Sequence, residues 1–257
     1  MTFKQRTLNK QFDSVIDFDI KNLVVSGCSF TFNNSESDLC AWPYYLRDLA
    51  NFKQVYDCSL PGAGNYHISQ SLQWSLELEK LNPVDTLVIV MWSGNDRDDF
   101  IFSKDAIKPY SFSFAYNDKV QTGLSGHNDS GNVDIVLSRK VLNSKDKNSR
   151  SVENFLYVNS TWHYLKSKGY RFCFLNYANR DDINSDFEIN NLIPLHLRTE
   201  YSKMFLDAET LYNWSVKHDL ISEDQFHPSI DGHLKWTQQV LIPSLTNYLK
   251  AHEIHSY

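Results

Sequence analysis

The run TLVIVMW, residues 86 to 92, constrains this chain more than any other stretch. After its threonine come six apolar residues with no polar alternation. A strand of that kind has two apolar faces and needs cover on both, the situation of parallel strands in α/β proteins. Other segments fit the same scheme. Leu23–Val25 reads as a first strand, Val55–Ser59 as a second and YRFCFLNY, residues 170 to 177, as a later one. Between them lie amphipathic repeats. Trp42, Tyr45, Leu46 and Leu49 recur at helical spacing, as do Ile68, Leu72 and Leu76, and then Phe155, Val158, Trp162 and Leu165. A last helix is expected from Gly232 to about Ala251, with Trp236, Val240 and Leu241 on one face and Pro243 as a kink. Strands alternating with helices in this order predict a three-layer α/β fold. One domain is expected over residues 1–257, with an inserted, cap-like segment at about 97–150 whose aromatic YSFSFAY and turn-rich TGLSGHNDSGN break the pattern.

Composition narrows the function. The net charge of −6 and the lack of any Lys/Arg-dense stripe argue against a nucleic-acid partner. No apolar run reaches the roughly 18 residues of a membrane span, and the N-terminus has no apolar stretch of signal-peptide length. A cytoplasmic protein without membrane attachment is expected. Cys28, Cys40, Cys58 and Cys173 are scattered with no Cys-x-x-Cys pair, which favours reduced thiols over a disulfide framework.

In an α/β fold, ligands bind beyond the carboxyl ends of the strands. Three such ends are unusual here: Gly27-Cys28-Ser29, Pro61-Gly62-Ala63-Gly64-Asn65 and Ser93-Gly94-Asn95-Asp96. Serine needs a base, usually a histidine oriented by a carboxylate. EDQFHPSIDGH, residues 223 to 233, supplies both. Asp224 and His227 stand three residues apart, so one turn brings the carboxylate to one ring nitrogen and leaves the other for Ser29. The Ser29 N–H, the unencumbered Gly62 N–H and the Asn95 amide are candidate donors to a developing oxyanion. Neither a G-x-G-x-x-G nor a P-loop pattern is present, so the glycine turn does not read as a nucleotide site.

GCSFT, PGAGN, SGND and DQFHP, in that order, resemble the four signature blocks of the SGNH (GDSL-like) hydrolases. The likeness runs from about Leu23 to about Leu245. It implies a flavodoxin-like α/β/α sandwich, with Ser29 as nucleophile, His227 as base, Asp224 as its partner, and Ser29, Gly62 and Asn95 as the oxyanion hole. No cofactor or metal is implied. Cys28 stands where the family usually has aspartate, and Ser93 where it commonly has glycine. Members are esterases, lipases, carbohydrate deacetylases and thioesterases. The expected reaction is therefore cleavage of an oxygen ester, with a small acyl group such as acetyl on a carbohydrate or related metabolite. The alternatives are an acyltransferase using the same triad and a non-catalytic binding protein on this fold.

Other residues carry weaker signals. Trp42 and Trp92 are candidate sugar-stacking platforms, and Arg97 a candidate contact for an anionic substrate. Cys28 is a rival nucleophile, although free cysteines are more often packing residues. Asp224, His227, Asp231 and His233 also form a metal-like cluster on paper, but zinc wants three or four converging ligands. His233 is expected at the surface, His127 in a loop without a role, Asn65 as a helix cap, and Arg97, Asp98 and Asp99 as a solvated charge run.

Overall fold

A computed structural model of the chain describes residues 16–32, 41–94, 97–99, 111–113, 147–178 and 203–253. Its centre is a parallel sheet of β1 (Asn22–Ser26), β2 (Gln54–Asp57), β3 (Thr86–Trp92) and β6 (Arg171–Asn176), in the spatial order β2-β1-β3-β6. The strand 86–92 falls where the sequence puts it, and all seven of its residues are buried. It pairs with β1 through Leu23↔Leu87 and Val25↔Ile89, and with β6 through Ile89↔Cys173 and Val90↔Phe174. Burying each large apolar side chain contributes about 1.5–3 kcal/mol, so the central position follows from composition. Beyond β6 the backbone of residues 204–206 adds one parallel bridge, with Phe174 N–H on Met204 O and Leu206 N–H on Phe174 O.

The connections are helical. α1 (Trp42–Leu49) follows β1, α2 (Asn65–Glu79) follows β2, and α3 (Lys147–Lys168) precedes β6. α4 (Leu211–Lys217) and α5 (Ile230–Trp236) come next, and a π turn at Thr237–Leu241 leads into α6 (Ile242–Glu253). α1 packs with α5 and the π turn, while α2 packs with α3, so helices cover both faces of the sheet. The chain runs outward from β1 to β2 and then returns to β3, so the order reverses between β1 and β3. That switch point opens a crevice at the strands' carboxyl ends.

Pro243 acts as expected of a residue without an N–H, but by widening the helix. Immediately before it the bonding shifts to i→i+5, with Ile242 N–H on Thr237 O. α3 begins at Lys147, so the inserted segment gives way to helix slightly before residue 150. Within that segment β4 (Arg97–Asp99) and β5 (Ser111–Ser113) pair antiparallel, Asp98 opposite Phe112. Most of the segment, His127 included, lies outside the described residues. Cys28, Cys58 and Cys173 are free and buried, and Cys40 is outside the described residues.

Candidate active site

β1 runs into a turn at Cys28–Phe32, where the N–H groups of Thr31 and Phe32 both reach Cys28 O at 2.9 Å. Gly27 makes that turn tight. A Cβ there would lie 2.2 Å from Thr31 Oγ1 and 3.1 Å from Met91 O, so the chain can fold back against β3 only with glycine at this position. The turn leaves Ser29 partly exposed while its neighbours Cys28 and Phe30 are buried.

The loop after β2 lies alongside. Cys58 N–H bonds to Val25 O at 2.8 Å and Leu60 N–H to Gly27 O at 3.1 Å. Leu60-Pro61-Gly62-Ala63 then closes with Ala63 N–H on Leu60 O at 3.1 Å, and Gly62 takes φ +77°, the pattern of a type II turn. Neither Ser29 nor Gly62 uses its N–H in a hydrogen bond among the described residues. Asn95, the third predicted donor, lies outside the described residues, as does Asp96. Arg97 is described only as the first residue of β4.

The segment carrying His227 is a closed loop. Ile221 and Pro228 form an antiparallel bridge, Ser222 N–H reaches His227 O at 2.8 Å, and Gln225 N–H reaches Ser222 O at 2.9 Å. Gln225 holds φ +59° inside it, a left-handed conformation that favours glycine. Asp224 ties the loop together. Its Oδ1 accepts from Ser222 Oγ (2.6 Å), Phe226 N–H (2.9 Å) and His227 N–H (2.8 Å). Its Oδ2 lies 2.5 Å from His227 Nδ1, and His227 Nε2 lies 2.8 Å from Ser29 Oγ. Partial burial works against ionisation of Asp224, but the hydrogen bonds from Ser222, His227 and Phe226 outweigh it and hold the carboxyl well below the usual carboxylate range. The carboxylate fixes the proton on Nδ1, which turns the Nε2 lone pair toward the hydroxyl.

Several expectations change. Trp42 and Trp92 are not platforms: both are 0% exposed, and a stacking surface needs an open face. Trp42 packs edge-on to Trp236, 6.2 Å between ring centroids, and Trp92 packs edge-on to Phe174 at 5.4 Å. His233 is buried instead of superficial, with Trp42 N–H directed at its Nδ1 at 3.4 Å, and burial pulls its pKa down to about 3. Among the described residues no group of three or more His, Cys, Asp or Glu side chains could hold a metal ion. The same residues contain no helix long and apolar enough to cross a membrane.

Two positioning groups escaped the sequence reading. Asn65 does not cap α2 with its side chain, because the N-cap position is Gly64. Its amide is instead a clamp: Oδ1 accepts Ser93 N–H at 2.8 Å, and Nδ2 donates to Ser93 O at 3.1 Å and Asn154 Oδ1 at 2.9 Å. With Ser93 Oγ donating to Ala63 O at 2.9 Å, the loops after β2 and β3 are locked to each other. Asp99 is not a solvated charge. Its carboxylate accepts Gly64 N–H at 2.8 Å and His67 N–H at 2.7 Å, capping α2 from β4. A cap supplied from 35 residues away leaves no local pattern in the sequence.

No protein-family model matches the sequence, and no curated protein matches it. Solved structures do. The chain superposes on TesA with a TM-score of 0.50 at 14% identity, covering 88% of this chain and 98% of that one. It superposes equally, at 0.50 and 10% identity, on the psychrotrophic esterase EstA from Pseudoalteromonas sp., over 90% of this chain and 99% of that one. A member of the lipolytic G-D-S-L family from Veillonella parvula aligns at 0.42 and 11% identity, over 84% and 93%.

Proposed function

Starting from the SGNH (GDSL-like) hydrolase fold that this chain has, we propose that it is a serine esterase acting on oxygen esters, with a small acyl group such as acetyl carried by a carbohydrate or related metabolite. The observation that carries this reading is the relay at the end of β1: Ser29 Oγ 2.8 Å from His227 Nε2, and His227 Nδ1 2.5 Å from Asp224 Oδ2. A hydroxyl and a base in hydrogen-bond contact, the base oriented by a third group, is the arrangement nucleophilic catalysis requires. Similarity to an esterase inhibited by monoethylphosphonate agrees with it in fold.

In the proposed reaction Ser29 Oγ attacks the ester carbonyl carbon while His227 Nε2 takes the hydroxyl proton. The carbonyl oxygen becomes an oxyanion for which the N–H groups of Ser29 and Gly62 are the proposed donors, with Asn95 as the third donor that the family resemblance implies, and each such donor is worth on the order of 3 kcal/mol. Collapse breaks the ester C–O bond, and His227 hands its proton to the departing alcohol. Water, deprotonated by the same nitrogen, then attacks the acyl-serine, and the acyl C–O bond to Ser29 breaks as His227 returns the proton to Ser29 Oγ, releasing the acid. Asp224 remains ionised throughout and steadies the imidazolium.

A fluorophosphonate probe tests the nucleophile. Wild-type protein is expected to take up one equivalent with loss of turnover, whereas Ser29→Ala and His227→Ala take up none and hydrolyse no acetyl ester while retaining the wild-type circular dichroism. Turnover near the wild-type rate in Ser29→Ala overturns the proposal. Release of free acetate without an added acceptor separates hydrolysis from acyl transfer.

A further inference from the structure

We infer that Phe226 is the platform for the alcohol portion of the substrate, so that the site selects esters whose alcohol carries a flat, CH-bearing ring. The inference rests on the esterase reading above, because it takes its direction from the His227–Ser29 contact. The base that removes the serine proton must return it to the leaving oxygen, so the alcohol departs on the His227 side of Ser29. Among the described residues, aromatic rings pack against His227. The Phe226 ring stands perpendicular to the His227 ring with 5.0 Å between centroids. Beneath both lies Phe30, the residue after the nucleophile, with its ring 5.4 Å from Phe226 and 5.1 Å from His227.

Phe30 is fully buried, but Phe226 is 41% exposed. Of the large apolar side chains exposed among the described residues, Phe226 alone makes ring contact with His227. It is also held. Tyr212 packs 5.9 Å from it on the same cluster, and Tyr177 backs Phe30 at 4.6 Å. The Phe226 N–H is tied to Asp224 Oδ1 at 2.9 Å, within a loop fixed by the left-handed Gln225. A ring already immobilised loses little freedom when a ligand covers it.

Asp224, the neighbouring charge, spends both oxygens on its own loop. Recognition on this side therefore works by surface contact and not by hydrogen bonding to that carboxylate. A rigid aromatic face suits a flat partner, whether an aryl ring or the CH face of a sugar. The aromatic platform sought at Trp42 and Trp92 is thus found beside the base.

The test compares kcat/KM for three probes, benzyl acetate, ethyl acetate and a methyl mono-O-acetyl glucopyranoside, in wild type, Phe226→Ala and Phe226→Tyr. The benzyl-to-ethyl ratio is expected to fall roughly fivefold to tenfold in Phe226→Ala and to recover in Phe226→Tyr, the scale of a lost aromatic contact. A parallel fall for the glycoside assigns the platform to sugars, and a fall confined to the benzyl ester assigns it to aryl alcohols. A ratio within about twofold of wild type in Phe226→Ala, with its thermal melt unchanged, overturns the platform but leaves the esterase reading intact. Hydrolysis of none of the three by wild-type protein brings down both.

Discussion

Asp224 does two jobs with two oxygens, and one substitution separates them. Oδ1 organises the loop through Ser222 and two backbone N–H groups, while Oδ2 meets the histidine ring. Asp224→Asn can keep the loop-holding acceptor but presents an amide N–H₂ where Nδ1–H needs an acceptor. The histidine then favours the tautomer with its proton on Nε2, facing Ser29. We expect kcat to fall on the order of 10³–10⁴-fold, with the melting temperature little changed. Stopped assays beside a calorimetric scan check both; a large fall in melting temperature with kcat preserved contradicts the division. At this scale the sequence was legible where chemistry demands a spacing. Asp224 and His227 had to share a turn, and Ser29 had to follow a strand. It was not legible where burial decides, since a tryptophan has the same letters in a core or on a platform.

The loops on the crevice rim are placed by residues outside the proposed catalytic set. Asn65, the first residue of α2, grips both the N–H and the C=O of Ser93, while Ser93 holds Ala63. That clamp fixes the loop containing Gly62 against the strand end that leads to Asn95. Loosening it would shift the proposed Gly62 donor without removing it. Asn65→Ala is therefore expected to lower kcat by about tenfold to a hundredfold with KM within about twofold, and to slow phosphonate labelling in parallel. Asn65→Asp, which keeps the acceptor for Ser93 N–H but loses the donor, should fall between. A drop in thermal stability with kcat and labelling untouched would make Asn65 structural only. Helix α1 could be read from hydrophobic periodicity, because it buries one face, and strand β3 from its unbroken apolar run, because both of its faces are covered. The clamp and the Asp99 cap could not, because each joins segments distant in the chain by hydrogen bonds of a kind that many polar residues make.

At the scale of the whole molecule, two histidines lie in the interior among the described residues, and both bear on its response to acid. His67 is 3% exposed with no partner for Nε2 among the described residues, and burial lowers its pKa to about 4. His233 is lowered to about 3, first by burial and then by the nearby His227. Both folded values lie below the unfolded value near 6.5, so between about pH 6.5 and 4 the unfolded chain binds more protons. Their contribution to stability is present above pH 6.5 and is lost as pH falls through that window, by up to about 1.4 kcal/mol per pH unit for each. Urea midpoints measured from pH 7.5 to 4.5 should decline steadily, and His67→Gln should flatten the decline. A midpoint independent of pH across that range contradicts the assignment. The parallel, doubly covered sheet was foreseeable from residues 86 to 92, whereas which histidines it would enclose depended on how α2 and α5 pack. The contact between Ser29 and His227 spans 198 residues of sequence. During synthesis Ser29 therefore leaves the ribosome long before His227 is made, so under the proposed mechanism a growing chain carries the hydroxyl without the base assigned to it.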